Sequence, residues 1–542
     1  MRSRLPALNT IWVAALSAAF LLFLTNGVFW SKATAFFATN HPFLIGFTVS
    51  LYLLFFAVLL TLSAPYMLRP VYSLIFLIAA GAGYFTDTFG VMIDRDMIRN
   101  VAQTDVAESS QLMTSAYIIH MLLYGVLPCL LIWLIPIKRL RPLREVGRNT
   151  ALILGSVVVA FGVILTHMGV FMPFWQRERE VTMSYLNPVM AISSTVDYGL
   201  REYIRGPYVA APYGTDAKLG PAIANAAHPT ILVLVVGETA RAQNFSLMGY
   251  KRDTNPELEA MDIVAFKHAT SCGTSTAVSM PCMFSHLGHD GYSKDEAYSS
   301  ENLVDVLKHA GLKVEWWENN TGPKGIADRI PTDLIAHNGP KDLCEGGECL
   351  DEILARKLER VLPGIKDNTV LVLHTMGSHG PSYFKRYPDQ YRKFTPDCRT
   401  PELTTCTPQE LVNAYDNTVV YTDHMLARFI DILKSRTDAS TALLYMSDHG
   451  ESLGEDGLYL HGAPYDIAPD YQKKIPAIAW VSDGYASQFK LDMGCAKAKG
   501  DAPVSHDNMF DTVLGLMDVK TSVYKAPLDL FSSCHENGVA SN

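Results

Sequence analysis

The chain has 542 residues, 49% of them hydrophobic, and a formal net charge of −9. This length favours more than one domain, and the positive mean hydropathy is too high for a protein of this size that is soluble throughout. The acidic balance argues against a nucleic-acid partner, because surfaces that bind nucleic acid are basic.

Five apolar stretches in the N-terminal third are long enough to cross a bilayer, which takes about 20 residues. They lie at 10–30, 43–64, 70–87, 115–136 and 150–172. Basic residues precede the first stretch, stand at Arg69 after the second, and cluster at 138–148 after the fourth. By the positive-inside rule these segments are cytoplasmic, so five spans place everything after about residue 173 on the opposite side.

The chain has nine cysteines. Cys129 lies in the fourth apolar stretch, and the others all follow residue 173, where an even number in an exported domain predicts disulfides. Three expected pairs join cysteines close in sequence, which leaves the last two for each other. The pairs are Cys272 with Cys282, Cys344 with Cys349, Cys398 with Cys406, and Cys495 with Cys534. These spacings do not resemble the CxxC pairs of a thiolate metal site.

The chain is predicted to have three parts. Residues 1–172 form a membrane anchor, 173–228 a connector with short amphipathic helices, and 229–542 a globular domain. In the globular part, apolar runs typical of buried strands alternate with segments typical of helices. The strand-like runs are 231–238, 312–317, 369–377, 442–450 and 476–481. This alternation predicts an α/β fold, in which helices cover both faces of a mostly parallel sheet.

Four of these runs lead into polar residues. The first ends at Glu238, the second precedes Asn320, the third precedes His379, and the fourth contains Asp448 and His449 at its end. Ligands of such sheets bind beyond the carboxyl ends of the strands. Two carboxylates and an imidazole, those of Glu238, Asp448 and His449, form a plausible ligand set for a divalent cation.

The stretch "SCGTSTAVSMPC", residues 271–282, places several hydroxyls between two cysteines. A hydroxyl held near a cation loses its proton more easily and becomes a nucleophile. A helix that begins after these hydroxyls would turn its positive end toward a reacting anion, and a disulfide would fix the loop. Spacing alone does not distinguish Thr274, Ser275 and Thr276.

Four motifs resemble those of a known family: "VVGETARAQNFSLMGY", "SCGTSTAVSMPCMFS", "HTMGSHGPSYFKRYP" and "MSDHGESLGEDGLYLHG". They closely resemble the phosphoethanolamine transferases that modify lipid A, which include the mobile colistin-resistance enzymes, and the resemblance covers nearly the whole chain. It implies five spans in the bacterial inner membrane and a periplasmic α/β domain like those of alkaline phosphatases and sulfatases. It also implies transfer of phosphoethanolamine from phosphatidylethanolamine to a lipid A phosphate through a threonine intermediate, with resistance to polymyxins such as colistin.

The resemblance also implies roles for individual residues. Thr276 matches the nucleophile, and Glu238, Asp448 and His449 match the residues that hold zinc with it. Ligand chemistry alone would also suit Mn²⁺, so the preference for zinc comes from the family. His379 and His461 match histidines that contact the phosphoryl group or a second zinc. The expected substrate-binding positions are Asn100, Thr104, Glu108, Thr274, Ser275, Asn320 and Lys324, and the family's disulfides match the three close cysteine pairs.

The segment "RNVAQTDVAESSQL", residues 99–112, carries three of those positions. Asn100, Thr104 and Glu108 recur every four residues, so on one helix they would form a polar stripe. The stripe alone is typical of a solvated face. Its match to the family favours contact with the lipid head group, whose ammonium group suits Glu108.

Other functions remain open at this stage. A sulfatase needs a C-x-P-x-R motif, which is absent after Cys272. A phosphoglycerol transferase or a phosphodiesterase of the same fold would keep the metal set and the threonine. A membrane transporter or sensor should carry ionisable residues inside its spans, and these spans offer little beyond His120. We expect a monomeric membrane enzyme.

Overall fold

The chain has two compact units in the computed structural model, which describes residues 7–104 and 106–535 but not the side chains of 106–108, 180, 337 and 338. One unit runs to Ile98 and includes Met113–Ile204. The other consists of Arg99–Leu112 and the chain from Arg205 onward. The segment 99–112 therefore belongs with the C-terminal part of the chain.

Four helices of the first unit are long and apolar enough to cross a membrane. They are His41–Thr61, Leu68–Phe89, Ser115–Leu134 and Pro142–Thr166. The first predicted span, at 10–30, is instead two helices, Thr10–Leu24 and Gly27–Phe36, which are bent by 73°. The described part of the chain has five spans if this bent pair counts as one.

Polar side chains explain the bend. The side chains of Thr25 and Asn26 both donate to the carbonyl of Leu21, in the last turns of the helix before them. The carboxylate of Asp87 accepts the first two amides of the following helix. Because side chains here replace helical hydrogen bonds and supply a cap, the helix ends and a new one begins in another direction.

The first unit also contains shorter elements. Val189–Arg205, in the predicted connector, is a helix that exposes Val196 and Leu200 on one face. Met168–Arg177 and Arg179–Met183 are further helices of this unit, and the strands Leu8–Asn9 and Ile137–Lys138 pair with each other. The helix Arg95–Gln103 begins in this unit and ends in the other.

The second unit is built around an eight-stranded sheet. Its strands are β1 Thr230–Gly237, β2 Val264–Thr270, β3 Lys313–Glu318, β4 Thr332–Leu334, β5 Thr369–His374, β6 Ser440–Ser447, β7 Lys474–Val481 and β8 Pro503–Ser505. The order across the sheet is β8-β2-β7-β6-β1-β5-β3-β4. The half from β6 to β4 is parallel, whereas β7 runs antiparallel to both of its neighbours. The prediction of a mostly parallel sheet is confirmed.

Helices cover both faces of this sheet. Alternate residues of β1 point to opposite sides, so that Val233 packs into one buried cluster and Leu234 into the other. The longest helix begins at Pro408, because Thr407 and Glu410 form a capping box at its start. The helices are Val106–Leu112, Pro221–Ala224, Pro256–Glu259, Thr276–Met283, Gly288–Gly291, Lys294–Tyr298, Leu303–His309, Glu352–Val361, Pro408–Lys434, Asp470–Lys473, Asp483–Phe489, Met493–Ala498 and Met509–Leu516.

Three short strand pairs lie outside the sheet. They are Lys218–Leu219 with Val519–Lys520, Cys344–Glu345 with Glu348–Cys349, and Ser452–Leu453 with Tyr459–Leu460. Within the sheet, Gly237 of β1 pairs with Ser447 of β6, and His374 of β5 pairs with Glu318 of β3. Because these strands are parallel, the residues that follow them meet at the same edge, and the site is built there.

Candidate active site

Glu238, Asp448 and His449 meet at the carboxyl edge of the sheet, as the sequence predicts. All three are fully buried, and one ligand atom of each lies within 4.8 Å of the others. Nε2 of His449 lies 3.5 Å from Oε1 of Glu238 and 3.4 Å from Oδ2 of Asp448. The group therefore offers two carboxylates and one imidazole to a common point.

The electrostatics of this group fit a bound cation. Oδ1 of Asp448 accepts the amides of Thr239 and His449, but its buried Oδ2 has no hydrogen-bond partner among the described residues. Burial, together with the charge of Glu238, raises the pKa of Asp448. Burial also acts to raise the pKa of Glu238, but His449 and His379 lower it. A positive charge between the carboxylates would offset their burial and mutual repulsion.

His449 is held in the form that binds a metal. Its Nδ1 lies 2.9 Å from the carbonyl of Gly450, which can only accept, so Nδ1 carries the proton. The lone pair of Nε2 then faces the two carboxylates. Burial, and next the charge of His461, lower the pKa of His449 to about 4, so the ring is neutral at neutral pH.

The hydroxyl of Thr276 contacts both Glu238 and His449, whereas that of Thr239 donates to Glu238 alone. Oγ1 of Thr276 lies 3.2 Å from Oε2 of Glu238 and 3.3 Å from Nε2 of His449. The hydroxyl of Thr274 instead donates to the carbonyl of Ala463 at 2.6 Å, and Ser275 is the N-cap of the next helix. That helix begins at Thr276, so its positive end lies at the Thr276 hydroxyl.

The loop before Thr276 is fixed at several points. The Cys272–Cys282 disulfide closes it, and the other three predicted disulfides are also formed. The amide of Cys272 donates to Nδ1 of His506, whose Nε2 donates to the carbonyl of Ser447 at the end of β6. His506 is absent from the sequence predictions, because no motif surrounds it.

A second set of ligand atoms adjoins the first. Atoms of His449, Glu451 and His461 lie within 4.8 Å of one another. Nδ1 of His461 donates to Glu451 at 2.8 Å, and the His379 ring lies 6.3 Å from the His461 ring. Glu451 is missing from the predicted site, although it stands two residues after His449 in the same motif. Its position in this motif and its acidic side chain could have identified Glu451 as a candidate ligand.

Asn320 and His374 also lie beside Glu238. Nδ2 of Asn320 donates to Oε2 of Glu238 at 2.8 Å, which places this predicted residue at the site. His374 donates Nδ1–H to Glu318 at 2.8 Å, and its Nε2 lies 4.0 Å from Glu238. Glu318 is the last residue of β3, and His374 is the last residue of β5. The sequence analysis did not predict either residue as part of the site.

The segment 99–112 differs from its prediction. Asn100, Thr104 and Glu108 do not share one helix, because the helices Arg95–Gln103 and Val106–Leu112 are separate and Thr104 lies between them. Oγ1 of Thr104 donates to the carbonyl of Asn100, in the last turn of the first helix. The side chain of Glu108 lies outside the described part of the structure.

Lys324 contacts the same segment. Its Nζ donates to the carbonyl of Thr321 at 2.9 Å and to the carbonyl of Gln103 at 3.3 Å. The structure thus groups Glu238, Thr276, Asp448, His449, His461 and Asn320 closely, with His379 beside them, and it connects Lys324 to the segment that contains Glu108.

Comparisons with known proteins show the family to which the chain belongs. The family model "Phosphoethanolamine transferase EptA/EptB" matches residues 51–203, and the model "Sulfatase" matches residues 230–519. Phosphoethanolamine transferase EptA of Escherichia coli K12 is 41% identical over 484 residues, which are 88% of either chain. Phosphatidylethanolamine transferase Mcr-1 of Escherichia coli is 36% identical over 525 residues, which are 94% of this chain and 95% of the relative.

The solved structures include a full-length relative. It is the integral membrane protein lipooligosaccharide phosphoethanolamine transferase A of Neisseria meningitidis, with 35% identity and a TM-score of 0.94, and the match covers 98% of this chain and all of that one. A periplasmic domain of phosphoethanolamine transferase EptC of Campylobacter jejuni matches 60% of this chain at 42% identity and a TM-score of 0.53. The chain therefore belongs to the phosphoethanolamine transferase family, multi-pass enzymes of the bacterial inner membrane whose catalytic α/β domain lies in the periplasm.

Proposed function

We propose that this enzyme transfers phosphoethanolamine from phosphatidylethanolamine to a phosphate of lipid A. The observation that carries the chemistry is the Thr276 hydroxyl beside Glu238 and His449. The substrates are supported by the names of relatives: Mcr-1 is a phosphatidylethanolamine transferase, and a Kdo(2)-lipid A phosphoethanolamine 7''-transferase of Escherichia coli K12 is 28% identical over 82% of this chain.

The transfer takes two steps through Thr276. In the first, Oγ1 attacks the phosphorus of the donor, the bond from phosphorus to the diacylglycerol oxygen breaks, and that oxygen takes up a proton. Oε2 of Glu238, which lies 3.2 Å from Oγ1, is placed to accept the threonine proton. In the second, an oxygen of the lipid A phosphate attacks the phosphorus, the bond from phosphorus to Oγ1 of Thr276 breaks, and Oγ1 takes up a proton, which restores the threonine hydroxyl.

Zinc is the cofactor that we propose. Glu238, Asp448, His449 and Thr276 would hold it, and His379 and His461 would contact the phosphoryl group or a second zinc. A bound zinc ion supplies positive charge that favours loss of the threonine proton and stabilises phosphoryl oxygens. The Nδ1 of His461 donates to Glu451, and a carboxylate partner of this kind orients an imidazole that binds a metal or a phosphoryl group.

The modification should confer resistance to polymyxins. Phosphoethanolamine adds an ammonium group to lipid A and so reduces its attraction for cationic peptides. Lipid A from cells with and without the gene should differ by phosphoethanolamine in mass spectra, and cells with the gene should tolerate more colistin. A phosphoglycerol adduct would support the related transferase instead, and unchanged lipid A would contradict the proposal.

Glu108→Gln should weaken transfer from membrane phosphatidylethanolamine. Glu108 is proposed to pair with the donor ammonium, and a charge-assisted hydrogen bond is worth roughly 1.5–3 kcal/mol, so we expect a loss of about 10-fold or more. Transfer is measured in vesicles that contain donor and lipid A. Hydrolysis of a small soluble phosphodiester should stay near wild type, because the Thr276 site is unchanged. If this variant transfers phosphoethanolamine at the wild-type rate, the segment 99–112 connects its neighbours but does not bind the donor.

Removing Cys272 and Cys282 together should harm turnover more than removing Cys398 and Cys406. Either loss lowers stability, typically by about 2–5 kcal/mol. The first pair alone brackets Thr276, so it also fixes the position of the nucleophile. The quantity to compare is turnover per folded molecule, measured after the folded fraction is known. Equal losses for both pairs would remove the positioning argument.

A further inference from the structure

A buried arginine joins two loops beside the site. Arg386 is 4% exposed. Its guanidinium donates to both oxygens of Glu348, at 2.8 and 3.1 Å, and its Nε donates to the carbonyl of His379 at 2.8 Å. Glu348 lies on the hairpin that the Cys344–Cys349 disulfide closes. A buried charge pair with this bidentate geometry fixes the hairpin against the loop of His379.

The side chain of Gln111 contacts both members of the Glu348–Arg386 pair. Its Nε2 donates to Oε1 of Glu348 at 2.6 Å, and its Oε1 accepts from Nη2 of Arg386 at 3.5 Å. A glutamine amide can contact both groups, because its nitrogen donates to the carboxylate and its oxygen accepts from the guanidinium. Gln111 belongs to the helix Val106–Leu112, three residues after Glu108.

We propose that Gln111 is a positioning residue that holds this helix, and Glu108 with it, at the active site through the Glu348–Arg386 pair. The proposal rests on the proposed recognition of the donor by Glu108. The start of the same segment is held separately, since Lys324 donates to the carbonyl of Gln103. With both ends fixed, position 108 is constrained from either side.

The hairpin is itself fixed to the sheet. The carbonyl of Cys349 accepts Nδ2 of Asn319 at 3.1 Å, and Asn319 directly follows β3. The position of Glu348 is thus set by the disulfide on one side and by the catalytic edge of the sheet on the other. Because the hairpin holds Glu348 against Gln111, the Cys344–Cys349 disulfide contributes to donor binding, although it lies outside the loop before Thr276.

The test uses the full-length enzyme in vesicles that contain phosphatidylethanolamine and lipid A. Gln111→Ala should lower kcat/KM for the lipid donor about 10-fold, chiefly through KM, because it frees the helix that carries Glu108. Hydrolysis of bis(p-nitrophenyl) phosphate should remain near wild type. The matched control is Glu345→Gln, an exposed residue opposite Glu348 on the same hairpin, which should leave both activities unchanged.

An exchange of the two groups separates positioning from simple loss of structure. Gln111→Glu alone brings two carboxylates together, and Glu348→Gln alone leaves Arg386 buried without its acid, so each should lower lipid transfer. The double variant keeps one amide and one carboxylate beside Arg386 and should recover most of the loss.

Three results would overturn the proposal: wild-type lipid transfer by Gln111→Ala, equal loss of both activities, or no recovery in the exchange. Wild-type transfer by Glu108→Gln would instead overturn the proposed donor contact.

Discussion

Thr276→Ala is expected to abolish phosphoethanolamine transfer, with a loss of at least about 1,000-fold, because the variant lacks the oxygen that is proposed to bond to phosphorus. Thr276 is the hydroxyl that contacts both Glu238 and His449, whereas that of Thr274 is engaged by the Ala463 carbonyl. Alanine is well tolerated in a helix, so the fold should persist. Mass spectrometry of lipid A gives the activity, and thermal unfolding checks the fold.

A neighbouring hydroxyl supplies the control for this variant. Ser279 lies on the same helix and is fully buried, and its Oγ has no hydrogen-bond partner among the described residues. Ser279→Ala should therefore leave transfer per folded molecule near wild type. Wild-type enzyme given donor lipid without acceptor should carry phosphoethanolamine on Thr276. An adduct mapped to Thr274 or Ser275 would show that the nucleophile is assigned wrongly.

The buried strands and their polar ends could be predicted from sequence. Continuous apolar runs such as that of β1 indicate strands covered on both faces, and parallel neighbours must end at one edge. That reasoning alone brings Glu238, Asp448 and His449 together. The choice of Thr276 among three adjacent hydroxyls depended on the family resemblance, because their positions relative to Glu238 are set by long-range contacts such as that of Thr274 with Ala463.

Other features depend on partners distant in sequence. The bend after Leu24 needs Asp87, which caps the next helix from about 60 residues away in the chain. The placement of His506 beside Cys272, in the loop before Thr276, requires knowing that β8 pairs with β2. The predicted stripe at 99–112 was wrong because one helix ends at Gln103 and the next begins at Val106, a break that the four-residue spacing of the polar residues did not indicate.

Asp448→Asn is expected to lower the affinity for zinc, the proposed cofactor, by at least about 100-fold and to abolish transfer with it, because it removes a charged group of the proposed site. The same change should alter the pH dependence of metal-free stability. Burial and the charge of Glu238 raise the pKa of Asp448 well above that of an exposed aspartate. Between the pKa of the unfolded state and that of the folded state, the folded protein holds a proton that the unfolded chain has lost, so the stability of the wild-type protein should fall as pH rises.

The measurement is thermal unfolding of the chelated full-length enzyme between about pH 5 and about pH 8. Asparagine does not titrate, so the Asp448→Asn variant should show a shallower fall in Tm over this range. In the wild type, added zinc should remove the same fall, because the ion stabilises the ionised carboxylate. The contribution of Glu238 differs in sign: its lowered pKa adds stability that is lost only in acid, below this range. If Tm falls equally with pH in the chelated wild type and the chelated variant, Asp448 is not the buried group that takes up a proton when the metal is absent.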